Sequence, residues 1–343
     1  MCPQYLHGVI DMKKLNMYVI SINRDTIYGL SILWIMLFHS TFLFSKPWML
    51  PLARIKNIGN CGVDIFLFVS GICLFFSFSK GGSLKDFYLR RLRRVYLPTL
   101  LVTIPWFGFL APYKQPDFLT FLLNATGLSL FVSGNHIIWF VVAILCFYAI
   151  YPLLYRAFEK TNHAIWPLLL MLGLSFLLNF AIRSLFPKFW EGDEILFRRV
   201  PIFLIGAYCG RFVYEKRTLP ITHIQVIAIT VLVTLVYFGI YKYWRPHSFQ
   251  RYAYIVMAPC FTAFFGILGQ VAPIRRVASW FAPITLELYL THEKFLTSLN
   301  KAMPTAGTIP VNLAAFCYAL AAALLLSYVE KAILRRPRTK PFT

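Results

Sequence analysis

The chain has 343 residues, 59% of them hydrophobic and only 14% charged, with a mean hydropathy of +0.65. A soluble globular domain is closer to a quarter charged, and apolar stretches recur from Tyr28 to Leu334, so composition excludes a soluble enzyme and leaves no polar half for a second domain. The 34 basic against 13 acidic residues give +21 with no nucleic-acid-binding motif, a balance that fits basic loops facing the cytoplasm and anionic lipid.

In chain order, the apolar runs predict an all-α, polytopic membrane protein of about ten transmembrane helices. They lie at roughly 27–45, 61–79, 95–112, 136–155, 164–182, 199–214, 220–241, 252–271, 278–297 and 309–333. The segment 113–135, with Pro116, Asn124 and Gly127, is expected to be a re-entrant or surface piece on the outer side. With the N-terminus inside, 21 of the 34 Lys and Arg residues fall in inner loops, so both termini are expected in the cytoplasm. The division is then a short cytoplasmic segment 1–23, a membrane domain 24–334 and a basic cytoplasmic tail 335–343. Lys13 and Lys14 precede no cleavage site of the secretory kind, so no signal peptide is expected. The seven cysteines are scattered, without CxxC or Cys/His spacing, and no metal is expected.

Ionisable side chains inside lipid are costly, which singles out His39, Asp64, Glu287 and His292, with Arg24 and Asp25 at the first inner boundary. The first span runs outward and puts His39 about six residues, roughly 9 Å, below its outer end. Asp64 lies one turn into the returning second span, so the two are expected at comparable depth and as a pair. A carboxylate beside an imidazole fixes its tautomer and supports its protonated form, as a general base requires. A structural polar pair between helices is the alternative. Glu287 and His292 in "ITLELYLTHEKF", and His136 with Trp139 at the start of the fourth span, bring further polar groups to the outer half. For His136 and Trp139 an interface anchor is the simpler reading. At the inner end of the third span, "KDFYLRRLRRVYLP" crowds Arg90, Arg91, Arg93 and Arg94 together. The cluster is either a topogenic patch or a clamp for a phosphate-bearing ligand. From the residues alone, group transfer across a membrane and transport of an anionic or lipid-linked sugar both stay open.

Five blocks in order resemble acyltransferase family three, the membrane-bound acyl-CoA-dependent acyltransferases. They are "GVDIFLFVSG" (62–71), "FYLRRLRRVYLP" (87–98), "HIIWFVVAILCFYAIYPLL" (136–154), "RVPIFLIGAYCG" (199–210) and "ELYLTH" (287–292). The resemblance implies O-acetyl transfer from cytoplasmic acetyl-CoA to a hydroxyl of an extracytoplasmic glycan or lipid-linked glycan precursor, in the inner (plasma) membrane of a bacterial cell. An amine or small secreted molecule is an alternative acceptor. The family's essential histidine maps onto His39, its preceding Asp onto Asp25, and its second-span Asp onto Asp64. Arg90, Arg91 and Arg94 map onto the contacts expected for the CoA phosphates. One position departs. The family has Arg eleven residues before the histidine, where this chain has Tyr28. Eleven residues leave only about 20° net rotation over roughly 16 Å, so Tyr28 and His39 share a helix face. Arg24, one turn further inward, is the expected substitute cation, and Tyr28 itself is the other candidate for donor contact.

Overall fold

Local chemistry sets the helix ends. The computed structural model describes residues 14–42, 44, 46–110, 117–159, 165–243, 247–303 and 308–334. In chain order these form β1 (Lys14–Asn16), α1 (Val19–Ile22), α2 (Arg24–His39), α3 (Leu50–Asn57), α4 (Cys61–Phe78), α5 (Leu84–Arg91), α6 (Leu97–Pro105), α7 (Phe118–Thr126) and α8 (Ser129–Ser133). There follow α9 (Trp139–Glu159), α10 (Ile165–Leu185), α11 (Pro187–Phe197), α12 (Val200–Tyr214), β2 (Thr218–Thr222), α13 (His223–Tyr243), α14 (His247–Leu268), α15 (Ala272–Phe281), α16 (Thr285–Ala302) and α17 (Thr308–Leu334). Gly81 and Gly82, at φ 72° and 125°, turn the chain after α4 in a conformation that costs other residues energy. Ser83 then caps α5: its hydroxyl accepts from the Asp86 N–H at 3.1 Å and donates to the Asp86 carboxylate at 2.8 Å. Asp117 caps α7 in the same way, accepting from the Thr120 N–H at 2.7 Å. Prolines open α11, α12 and α15, where a missing N–H leaves no bond unmade.

The chain divides into two units. The first comprises Met1–Ile35, Ile58–Gly82 and Cys146–Pro283. Its centre is the pair α4 and α12, whose backbones approach through glycines. A Cβ at Gly206 would lie 2.2 Å from the Phe68 carbonyl oxygen, and one at Gly71 would lie 2.5 Å from the Ala207 nitrogen. Gly206 and Gly210 are spaced as in the close-approach motif of membrane helices. The helix α14 packs on α4 and α13, and Trp34 sits against Phe261 and Phe265 of α14 at 4.8 and 5.8 Å between ring centres. Strands β1 and β2 pair antiparallel.

The second unit comprises Met36–Asn57, Ser83–Leu145 and Ile284–Thr343. Here α16 packs along α17, with Leu296 buried against Val311 and Ala315, and α6 touches both helices and α7. The Thr103 hydroxyl donates to the Ala125 carbonyl at 2.7 Å.

Six helices among the described residues are long and apolar enough to cross a membrane: Cys61–Phe78, Trp139–Glu159, Ile165–Leu185, His223–Tyr243, Gln250–Leu268 and Thr308–Ile333. The other four expected spans take different forms. The first helix runs from Arg24 and stops at His39, not near residue 45, because the next residues leave the ladder: the Ser40 hydroxyl donates to the Leu37 carbonyl and Asn312 captures Thr41. The expected span 95–112 is the nine-residue α6 between two π-helical turns, Leu92–Tyr96 and Trp106–Leu110. Pro98 and Pro105 withhold ladder donors beside those turns. The sixth, α12, has fifteen residues. The ninth is interrupted at Ala282–Ile284, which contains Pro283 and divides α15 from α16. Within 113–135 the chain forms α7 and α8, residues 113–116 lying outside the described ones. The basic tail 335–343 and most of the segment 1–23 also lie outside them.

Candidate functional site

In the second unit, His39 is the last residue of α2, and its ring centre lies 5.1 Å from that of His292 on α16, the two planes at 65°. His292 is 6% exposed. Its Nδ1 lies 2.9 Å from the Leu288 carbonyl oxygen and 3.0 Å from that of Tyr289. Carbonyls only accept, so Nδ1 carries the hydrogen and Nε2 of the neutral ring carries the lone pair. That Nε2 is buried and has no hydrogen-bond partner among the described residues. The carboxylate of Glu293, next in the chain, acts electrostatically on His39. On the same helix the Lys294 ammonium folds back to the Leu290 carbonyl at 3.0 Å and lies over the Trp106 ring.

The two histidines belong to a run of ring contacts. Phe38 meets His39 at 5.0 Å, Tyr289 meets His292 at 6.0 Å, Phe140 meets Tyr289 at 4.9 Å, and Trp139 meets Phe140 at 6.1 Å. Trp139 is therefore buried and two rings removed from His292, whereas His136 is exposed before α9 begins. Beyond His39, Asn312 of α17 accepts from the Thr41 N–H at 3.0 Å and donates to the Thr41 hydroxyl at 2.7 Å. This clamp fixes the backbone two residues past His39. Sequence reasoning missed Glu293 and Asn312. Only charged groups deep in a span were sought, while Glu293 is exposed and Asn312 is an uncharged amide. An amide within a 27-residue apolar helix was the available signal.

On an ideal helix Glu287 stands about 140° and roughly 7.5 Å from His292. Its side chain hydrogen-bonds Glu330 of α17, with Lys331 nearby and Arg94 acting on Glu330. Arg90, Arg93 and Arg94 are exposed along the end of α5 and the following π turn, and the Arg91 guanidinium lies 5.5 Å over the Phe87 ring. Exposed guanidiniums around a widened turn have the geometry to make paired contacts with phosphate groups.

In the first unit Asp64 occupies the first turn of α4, as expected, but its charged partner is Arg199, with Oδ1 3.4 Å from Nε. Both side chains are almost wholly buried, at 1% and 0% exposure. Arg199 is thus the charged partner of Asp64 within this unit, and within the other unit Glu293 is the carboxylate that acts on His39. Arg199 lies 135 positions away in sequence, so spacing offered no sign of it. The neighbouring Glu194 takes Arg198 at 2.9 Å and Arg251 at 2.5 Å. At the start of α2 the Arg24 guanidinium pairs with Asp25 at 3.2 Å, both about half exposed. Tyr28, one turn on, is half-buried against Phe66 at 5.5 Å.

Among the described residues no group of three or more His, Cys, Asp and Glu side chains could hold a metal ion. No curated protein and no solved structure matches the chain. Residues 25–329 match the acyltransferase domain of acyltransferase family 3, a match that begins at Asp25 and ends within α17. It takes in both histidines, the arginine stretch and the Asp64–Arg199 pair, and it decides for acyl transfer over transport: the chain belongs to acyltransferase family 3 and is a membrane acyltransferase.

Proposed function

We propose that the protein moves an acetyl group from cytoplasmic acetyl-CoA to a hydroxyl of an extracytoplasmic glycan or lipid-linked glycan precursor. It does so as a multi-pass protein of the bacterial inner (plasma) membrane, with both termini cytoplasmic. The observation that carries this reading is the placing of His39, in a chain of this family, against a buried imidazole, with the Glu293 carboxylate acting on it electrostatically. When bound, the donor supplies the acetyl group as an activated thioester. Arg90, Arg91 and Arg94 hold its phosphates, and Arg24 with Tyr28 serves where the family has its arginine. His39 takes the proton of the acceptor hydroxyl as the ester C–O bond forms and the thioester C–S bond breaks. It then returns that proton to the departing sulfur, so the products are an acetyl ester and a free thiol. Phe38 beside His39 and Tyr289 beside His292, with Phe140 behind Tyr289, give the ring pair an apolar flank that limits competing water.

The test is mass spectrometry of surface glycans from cells with the gene deleted and then restored. Acetyl esters lost on deletion and regained with the wild-type chain support the reading. An unchanged glycan, with the protein present in the membrane of the restored strain, overturns the glycan acceptor.

A further inference from the structure

The unpartnered nitrogen of His292 has a use that the proposed reaction does not by itself assign. A buried acceptor without a donor is unfavourable. Nδ1 of His292 is committed to the Leu288 and Tyr289 carbonyls, so the ring cannot turn over to hide Nε2 without losing both contacts. The polar ring beside it is His39, 5.1 Å away between centres. Ring nitrogens lie about 1.2 Å from the centre of an imidazole of ordinary bond lengths. Two rings at this separation can therefore bring one nitrogen of each to about 2.7–3.2 Å, a hydrogen bond.

We infer that His292 is a positioning residue for His39: the two rings touch without a hydrogen bond between them in the structure, and a turn of the His39 ring delivers one of its N–H groups to the bare Nε2. The inference rests on the proposed acid–base role of His39 and adds the means by which it is prepared. Donating one N–H to His292 leaves the other His39 nitrogen without a hydrogen, which is the form that takes a proton from a hydroxyl. Once that proton arrives, His39 is a cation with one N–H held by a lone pair, and the bond strengthens because its donor is charged. No proton passes to His292, whose other nitrogen stays bound to two carbonyls. The chain of constraint runs from the α16 backbone, through a fixed tautomer, to the reactive nitrogen, and Asn312 fixes the same helix end from α17.

Two substitutions separate positioning from packing. His292→Asn keeps a donor for the Leu288 and Tyr289 carbonyls and removes the acceptor at the Nε2 position. His292→Gln reaches that position with a carbonyl oxygen that accepts. Each is assayed with His39→Ala in isolated membranes, by transfer of radiolabelled acetyl from acetyl-CoA to the endogenous acceptor, at matched protein abundance. The expected result is a maximal rate about 10- to 100-fold lower for His292→Asn, the size of a hydrogen bond to a charged group. KM for acetyl-CoA should stay within about twofold, because only the transition state is affected, and His292→Gln should recover most of the rate. Equal rates in the two His292 variants, at either the wild-type or a reduced level, or a slower His292→Gln, overturn the inference. A wild-type rate in His39→Ala overturns the proposed mechanism instead, so the two failures are distinguishable.

Discussion

Adding one methyl group at Gly206 tests the packing that the first unit depends on. A Cβ there would stand 2.2 Å from the Phe68 carbonyl oxygen and 2.9 Å from the Phe68 Cα and carbonyl carbon. Carbon and carbonyl oxygen in good contact lie about 3.3–3.6 Å apart, so α4 and α12 must part by about 1 Å. Backbone is not the end of a flexible side chain, and nothing nearby can swing away. Overpacking of this kind costs about 1–3 kcal/mol. Parting the helices also draws Asp64, four residues before Phe68, away from Arg199, seven residues before Gly206. Breaking a buried ion pair costs about 3–5 kcal/mol, and partial loosening adds some fraction of that. Gly206→Ala should therefore lose at least about 2 kcal/mol by these two terms. Gly173→Ala on α10 is the control, since a Cβ there meets nothing within 4 Å, and relief of glycine's entropy should gain about 0.5–1 kcal/mol. Thermal unfolding of both proteins in the same detergent should shift in opposite directions. Gly206→Ala melting at or above the wild type would refute the close backbone approach.

Other predictions concern charge. Asp64→Asn and Arg199→Met should each destabilise strongly by removing one member of the buried ion pair, while the double replacement should cost less than the sum; additive losses in unfolding experiments would remove the pair. Arg24→Ala should raise KM for acetyl-CoA while Tyr28→Phe has the smaller effect, and full activity in Arg24→Ala would exclude Arg24 as the substitute cation. Glu215, outside the apolar helices, accepts from Arg211 at 2.6 Å and Arg217 at 2.8 Å, and those bonds, the Arg211 one first, hold its carboxyl below the ordinary glutamate value. Its stabilising contribution is complete above the unfolded value of about 4.3 and is lost as pH falls from there through the depressed folded value. Glu215→Gln should flatten that acid limb in a pH series of unfolding, and an unchanged limb would assign the loss to other groups.

Patterns along the chain carried much of this. The Arg-rich run ends a helix, Asp64 sits in a first helical turn, and the five blocks led to the family that residues 25–329 match. What stayed hidden depends on contacts between distant residues or on backbone detail. The partner of Asp64 is 135 positions away, and nothing local marks Arg199 as buried. Helix α2 ends at His39 because Asn312, far along the chain, takes hold of Thr41. The π turns beside Pro98 and Pro105 shorten an apolar run that composition alone reads as continuous. The neighbour of Glu287 on α17, Glu330, is likewise far along the chain.

The proposed catalysis turns on His39, and its test is the rate of acetyl transfer by the His39→Ala protein against the wild type, in membranes containing equal amounts of each. General acid–base catalysis contributes about 10²- to 10⁴-fold, so the predicted result is a loss of that size with the protein still folded in the membrane. Transfer at the wild-type rate would contradict the account.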